Sequence, residues 1–203
     1  MSYKELGLKC GIEIHQQLDG KKLFCDCPTI ITEDNSSEFS INRKIRAVAG
    51  EGGKIDVAAQ QEQLRKRSFV YQGKHETTCL VDIDSEPPHP INQDAVYASL
   101  QLSKIVNSKI TSVIQVMRKT VADGSNTSGF QRTALVARGG KISTSEGDVG
   151  IENISIEEDS CRTINESNNK KTYHLDRLGI PLIEIGTAPD IKSPKQCQEA
   201  AKQ

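Results

Sequence analysis

The chain has 203 residues, with 26 basic and 27 acidic side chains and a net charge of −1. That length supports one large domain or two small ones with real cores, and the balanced charge excludes bulk electrostatic attachment to nucleic acid or to an anionic membrane. No apolar run approaches the ~20 residues of a membrane span and no apolar signal segment opens the chain, so a cytoplasmic setting without a membrane partner is expected.

Residues 8–16 read as the first strand. Within Gly11-Ile12-Glu13-Ile14-His15, alternation puts Ile12 and Ile14 on one face and Glu13 and His15 on the other, setting a carboxylate and an imidazole side by side. Asp19-Gly20 suggests a hairpin turn, with Leu23-Phe24 in the return strand. Cys25-Asp26-Cys27-Pro28 breaks regular structure, and 32–40 is a polar loop. A short strand over 41–48 and a charged helix near 55–67, marked by Val57, Gln61 and Leu64, follow on either side of a glycine cluster. Segments 68–72 and 77–83 alternate as strands, and Glu86-Pro87-Pro88-His89-Pro90 forces an extended connection.

Asn92 is placed to cap the clearest helix, whose stripe is Ala95, Ala98, Leu102 and Ile105. Strand patterns then dominate 109–118, 132–137, 141–144 and 148–157, interrupted by the loop Asp123-Gly124-Ser125-Asn126-Thr127-Ser128-Gly129. A polar excursion over 166–171 leads to 173–191, with Asp176-Arg177-Leu178-Gly179 as a turn, and Ser193-Pro194 opens a last helix. A chain that stops part way into that helix is expected to be the N-terminal portion of something longer. The fold class is therefore α+β: mostly antiparallel sheet with a few helices.

The pairing of acids with apolar strands recurs in Ile156-Glu157-Glu158-Asp159 and Leu182-Ile183-Glu184-Ile185. Polar residues on an alternating strand ordinarily form its solvated face. Gly11 and Gly186, beside two of these strands, leave room for a backbone or a ligand to approach. Glu13, Glu157 and Glu184, with His15 as a nitrogen donor and Asp159 or Glu158 as further carboxylates, suit magnesium or manganese. The loop 123–133, with Arg118 and Lys119 before it, has the small side chains and amide donors that wrap a phosphate, although a plain hairpin loop has the same composition. The six cysteines are irregularly spaced and read as mostly reduced thiols. Cys25 and Cys27 form half of a zinc hook, whose remaining donors would be Cys79 with His75 or His89; unligated thiols are the simpler reading.

Taken in order, Gly-Ile-Glu-Ile-His at 11–15, Lys-Leu-Phe-Cys-Asp-Cys-Pro-Thr at 22–29, Asp-Gly-Ser-Asn-Thr-Ser-Gly-Phe-Gln-Arg-Thr at 123–133, Ile-Glu-Glu-Asp at 156–159 and Leu-Asp-Arg-Leu-Gly-Ile-Pro-Leu-Ile-Glu-Ile-Gly-Thr-Ala-Pro-Asp-Ile at 175–191 resemble the GatB/GatE family of tRNA-dependent amidotransferase subunits, most closely its archaeal GatE branch. The resemblance implies the first part of a cradle-like catalytic domain, 1–203, without the family's inserted, helical and tail domains. It implies ATP- and magnesium-dependent phosphorylation of the glutamate carboxylate on misacylated tRNA(Gln), then amidation by ammonia from an asparaginase-like GatD partner. The family's metal-binding residues map onto Glu13, His15, Glu157 and Glu184, and Ser128, Gln131, Asp176 and Arg177 join Arg118 and Lys119 as expected substrate or nucleotide contacts. The second cysteine pair of many members is missing at Thr77-Thr78-Cys79-Leu80, which argues against a structural zinc. The competing readings are a noncatalytic scaffold for tRNA and the ammonia-producing partner, and an unrelated metal-dependent hydrolase.

Overall fold

The computed structural model describes residues 3, 5–32, 34–44, 47, 49–50 and 52–203. A seven-stranded sheet carries β1 (Glu13–Gln17), β4 (Lys109–Ile110), β5 (Val116–Thr120), β6 (Phe130–Arg138), β7 (Lys141–Thr144), β8 (Gly147–Glu158) and β11 (Pro181–Thr187). Its main path runs β1-β11-β8-β6-β4, with β5 also on β6 and β7 on β8, and every pairing is antiparallel. A four-stranded sheet runs β2 (Phe39–Arg43), β3 (Ser68–Gly73), β10 (Lys170–His174) and β9 (Arg162–Glu166), with β3 and β10 parallel. The helices are α1 (Val57–Leu64), α2 (Gln93–Ile105) and α3 (Pro194–Lys202). The α+β, mostly antiparallel expectation holds.

Asn92 caps α2 by accepting from the Asp94 and Ala95 amides, and Ser193 caps α3 by accepting from Gln196 N–H. The buried stripe of α2 is Ala95, Ser99 and Ser103, flanked by Ala98, Leu102 and Val106, whereas Ile105 is 76% exposed. Ile105 lies about 80° round the helix from Ala95 at about 100° per residue, which carries it off the buried face. The two serines tolerate burial because each hydroxyl donates to a backbone carbonyl of the preceding turn, Val96 for Ser99 and Ser99 for Ser103. This face of α2 meets Ile154, Ala134, Val136 and Ile156 on one side of the large sheet. The opposite side of β8 and β11 carries the acids.

Four local expectations change. β1 does not return on Leu23-Phe24; it pairs with β11, while Gly20 and Thr29 close a short loop and Leu23 and Phe24 are buried. Segment 77–83 is a run of turns, because the Asp82 carboxylate accepts from Cys79 N–H and Ser85 N–H bonds back to Leu80 O. The polar excursion near 166–171 is the β9–β10 hairpin. On α1, Val57 and Leu64 face solvent and Glu62 is the buried residue. The strand expected over 41–48 is observed as β2 to Arg43; residues 45, 46 and 48 lie outside the described residues.

Candidate metal and phosphoryl-transfer site

Register assembles the site. His15 sits directly opposite Glu184 across β1 and β11, and its Nε2 lies 3.1 Å from Glu184 Oε2. Glu157 on β8 faces Leu182 on one side and Thr133 of β6 on the other. Since cross-strand partners and i, i+2 neighbours share a face, His15, Glu184, Glu157, Thr133 and Gln131 all project to the side away from α2. Donor atoms of His15, Glu157 and Glu184 all lie within 4.8 Å of one another. Glu13 is on the same face opposite Gly186 but stands outside this convergent set.

Glu157 is the buried member at 2% exposure. It accepts from Thr133 Oγ1 at 2.9 Å and from Gln131 Nε2 at 3.1 Å. Burial first and the neighbouring Glu184 carboxylate second lift its pKa above the ordinary carboxyl range, while Thr133 and the ammonium of Lys119 act the other way. Gln131 also donates to Glu158 O at 2.7 Å, so one amide fixes both side chain and backbone of the acid-bearing strand. Carboxylates held together against mutual repulsion, with one imidazole, are a donor set for a hard divalent cation, so the residues fit magnesium or manganese.

The other expected site residues divide. Lys119 pairs with Gln131 on the carboxylate side. Arg118 pairs with Arg132 on the reverse side, where both guanidiniums lie over the Phe130 ring, at 5.2 and 5.4 Å. Arg132 also binds Glu158 at 2.9 Å, which takes Glu158 out of the carboxylate cluster. Asp159 is held by Gln17 at 2.6 Å. Ser128 Oγ donates locally to Phe130 O at 2.9 Å. Asp176 is fully buried and its carboxylate accepts from Thr32 and Arg162 and meets His174 Nδ1 at 3.0 Å, so it ties Thr32 to β9 and β10 rather than facing an open site. Arg177 donates to Ser160 O and Cys161 O, bracing the turn before β11.

Gly11 and Gly186 leave room for the protein itself. A Cβ at Gly11 would stand 2.7 Å from Thr187 O, and one at Gly186 would run into the Asn153 amide. Thr133, which positions Glu157, is a site residue that the sequence reading does not include; its alternation with Gln131 is the signal that identifies it.

A second cluster brings Cys25, Cys27, Cys79 and Asp82 within 4.8 Å, donor atom to donor atom. Cys79 is therefore not solitary, and the fourth member is Asp82, neither His75, which packs on Phe39, nor His89, which pairs with Glu86 at 3.2 Å. The donor types suit zinc. Asp82, however, already has a cation: the fully buried Lys22 ammonium lies 3.2 Å away and also donates to Leu175 O. Burial lifts the Asp82 carboxyl and Lys22 draws it back, while a hydrogen bond with Cys27 and burial push the Cys25 thiol far up, toward its neutral form.

Among the described residues no helix is long and apolar enough to cross a membrane. The family profile of the GatB/GatE catalytic domain matches residues 8–203. Over all 203 residues the chain is 50% identical to a Methanocaldococcus jannaschii protein named as the E-type (GatE) component of glutamyl-tRNA(Gln) amidotransferase, of which it covers 32%. It is 49% identical over 201 residues to the protein of that name from Haloarcula marismortui, with 98% of this chain and 32% of the relative aligned. With the one from Archaeoglobus fulgidus it shares 49% identity over 202 residues, 99% of this chain and 33% of the relative. The chain thus spans about a third of the length of these curated relatives, and with its catalytic-domain match over nearly every residue it belongs to the GatB/GatE family.

Proposed function

We propose that this chain supplies the metal-bearing part of a transamidation site that converts Glu-tRNA(Gln) to Gln-tRNA(Gln). The observation that carries the reading is the convergence of His15, Glu157 and Glu184 from three strands onto one face, in a chain half identical to proteins named for that amidotransferase. In the proposed reaction the γ-phosphoryl group of ATP passes to the side-chain carboxylate of the tRNA-bound glutamate and ADP leaves. Ammonia, delivered by an asparaginase-like GatD partner, then attacks the acyl carbon and expels phosphate.

Magnesium held by His15, Glu157 and Glu184, with Glu13 beside them, would neutralise charge on the transferring phosphoryl group. Glu157 is kept in place by Thr133 and Gln131, which fixes the donor geometry before any ligand arrives. Lys119, on the same face, supplies a positive charge for phosphate oxygens. Ser128 in the adjoining loop is a secondary nucleotide contact in this reading, whereas Arg118, over Phe130 on the reverse face, is turned away from it.

The test uses the full-length protein with its ammonia-producing partner. Glu184→Ala is expected to abolish tRNA-dependent ADP release while the complex still assembles on size exclusion. Full ADP release by the variant would overturn the reading and favour a scaffold, and turnover without ATP would favour a hydrolase.

A further inference from the structure

The four-stranded sheet has one cationic end. β2 runs antiparallel to β3 and β10 runs parallel to it, so the end of β2 and the beginnings of β3 and β10 coincide: Arg43 and Lys171 both pair with Phe69, and Lys170 pairs with Ser68. α1 runs into the same end through Arg65, Lys66 and Arg67, with Lys66 turned through a left-handed conformation at φ 55°. Glu62, Glu166 and Asp123 are the acids that answer. Glu62 binds Arg65 at 3.1 Å, Glu166 binds Arg67 at 3.1 Å, and Lys171 lies 3.6 Å from both Glu166 and Asp123. Lys44, Lys66 and Lys170 are exposed and have no acidic partner among the described residues. Lys44, Lys66 and Arg67 also wall a recess of about 200 Å³ with Gln63 and Glu62.

A positive surplus is thus concentrated on one edge of a chain whose total charge is −1. Solvated lysines are depleted from the centres of protein–protein interfaces because their desolvation is costly. Against a phosphodiester backbone the same lysines gain from counterion release without being stripped of water. We propose that this end of the β2-β3-β10 sheet is a docking surface for the RNA backbone, resting on the tRNA substrate proposed above and adding a contact on a different sheet from the carboxylate cluster. Phosphate contacts of this type position an RNA without reading its sequence.

The test is fluorescence anisotropy of the full-length protein with a labelled tRNA(Gln) transcript between about 50 and 200 mM salt, a range that spans the steep part of a phosphate-driven salt response. The Lys44→Glu, Lys66→Glu, Lys170→Glu triple variant is expected to lose at least about tenfold in affinity and to flatten the log–log salt slope by about 2–3. Unchanged circular dichroism and magnesium binding by that variant confirm that its fold is intact. Wild-type affinity and slope in the triple variant would overturn the proposal, as would displacement of RNA by polyglutamate at equal charge concentration, which would mark a general anion surface. Glu184→Ala is expected to keep its RNA affinity. Failure of metal binding therefore strikes only the catalytic reading, and an unaffected triple variant strikes only this one.

Discussion

His15 and Glu184 stand 169 positions apart in the chain and 3.1 Å apart in space, as direct cross-strand partners of β1 and β11. Each side chain is placed by its own strand and the pair by the register alone. A one-residue slip of β1 would turn His15 to the opposite face, so the register of this edge strand decides whether the three donors converge at all.

Metal affinity should follow the convergent set rather than the acid count. Calorimetry with magnesium or manganese at neutral pH is expected to show saturable binding that Glu184→Ala abolishes, while Glu13→Ala weakens it by less than about tenfold, one decade being about 1.36 kcal/mol. Equal losses in both variants would place Glu13 among the direct ligands.

Gly11→Ala should loosen β1. The added methyl meets the Thr187 and Ala188 carbonyls, at 2.7 and 3.2 Å, and neither can move without disturbing β11. A cost of about 1–3 kcal/mol is expected in chemical denaturation, together with weakened metal binding. Gly186→Ala should cost less, because the obstacle there is the Asn153 side chain, which can swing aside.

Acid sensitivity should reside in Asp176. Its burial raises the carboxyl pKa, but the Arg162 and His174 contacts outweigh this and hold it at about 2. A folded pKa below the unfolded value contributes stability above about pH 4 that is lost as pH falls toward about 2. Asp176→Asn is expected to lower stability at neutral pH by on the order of 2 kcal/mol and to flatten the acid limb of the melting-temperature profile, from about pH 4 down to about pH 2.

Lys22→Met should leave Asp82 buried without its cation, at a cost of about 3–5 kcal/mol. Zinc is then expected to raise the melting temperature of the variant, by occupying Asp82 with the three thiols, and to leave the wild type unmoved. A zinc-dependent shift in the wild type would show that the metal displaces Lys22.

Much of this is legible in the residues. Alternation in 11–15, 156–159 and 182–185 identifies His15, Glu157 and Glu184, because a strand's two faces follow from sequence alone. Alternation does not tell that Glu13 stands outside the cluster, which depends on its partner across the sheet, Gly186. Arg118 and Lys119 form one basic pair in sequence, and only the pairing of β5 with β6 puts them on opposite faces. The Asp82 contact is hidden because 77–83 alternates like a strand but bends on its own hydrogen bonds. A stripe on α2 read from apolar residues alone includes Ile105 and omits the buried serines, whose hydroxyls are satisfied within the helix itself.

The pairing of β1 with β11 also sets a timetable for synthesis. At ribosomal rates of about 5–20 residues per second, His15 is made roughly 8–34 s before Glu184 exists to receive it. Until then β1 has no strand to join, since among the described residues its partner in the sheet is β11 alone. The segment bearing β1 therefore waits as an unpaired edge, the kind of species that chaperones hold, and the carboxylate cluster cannot close before β11 has been made.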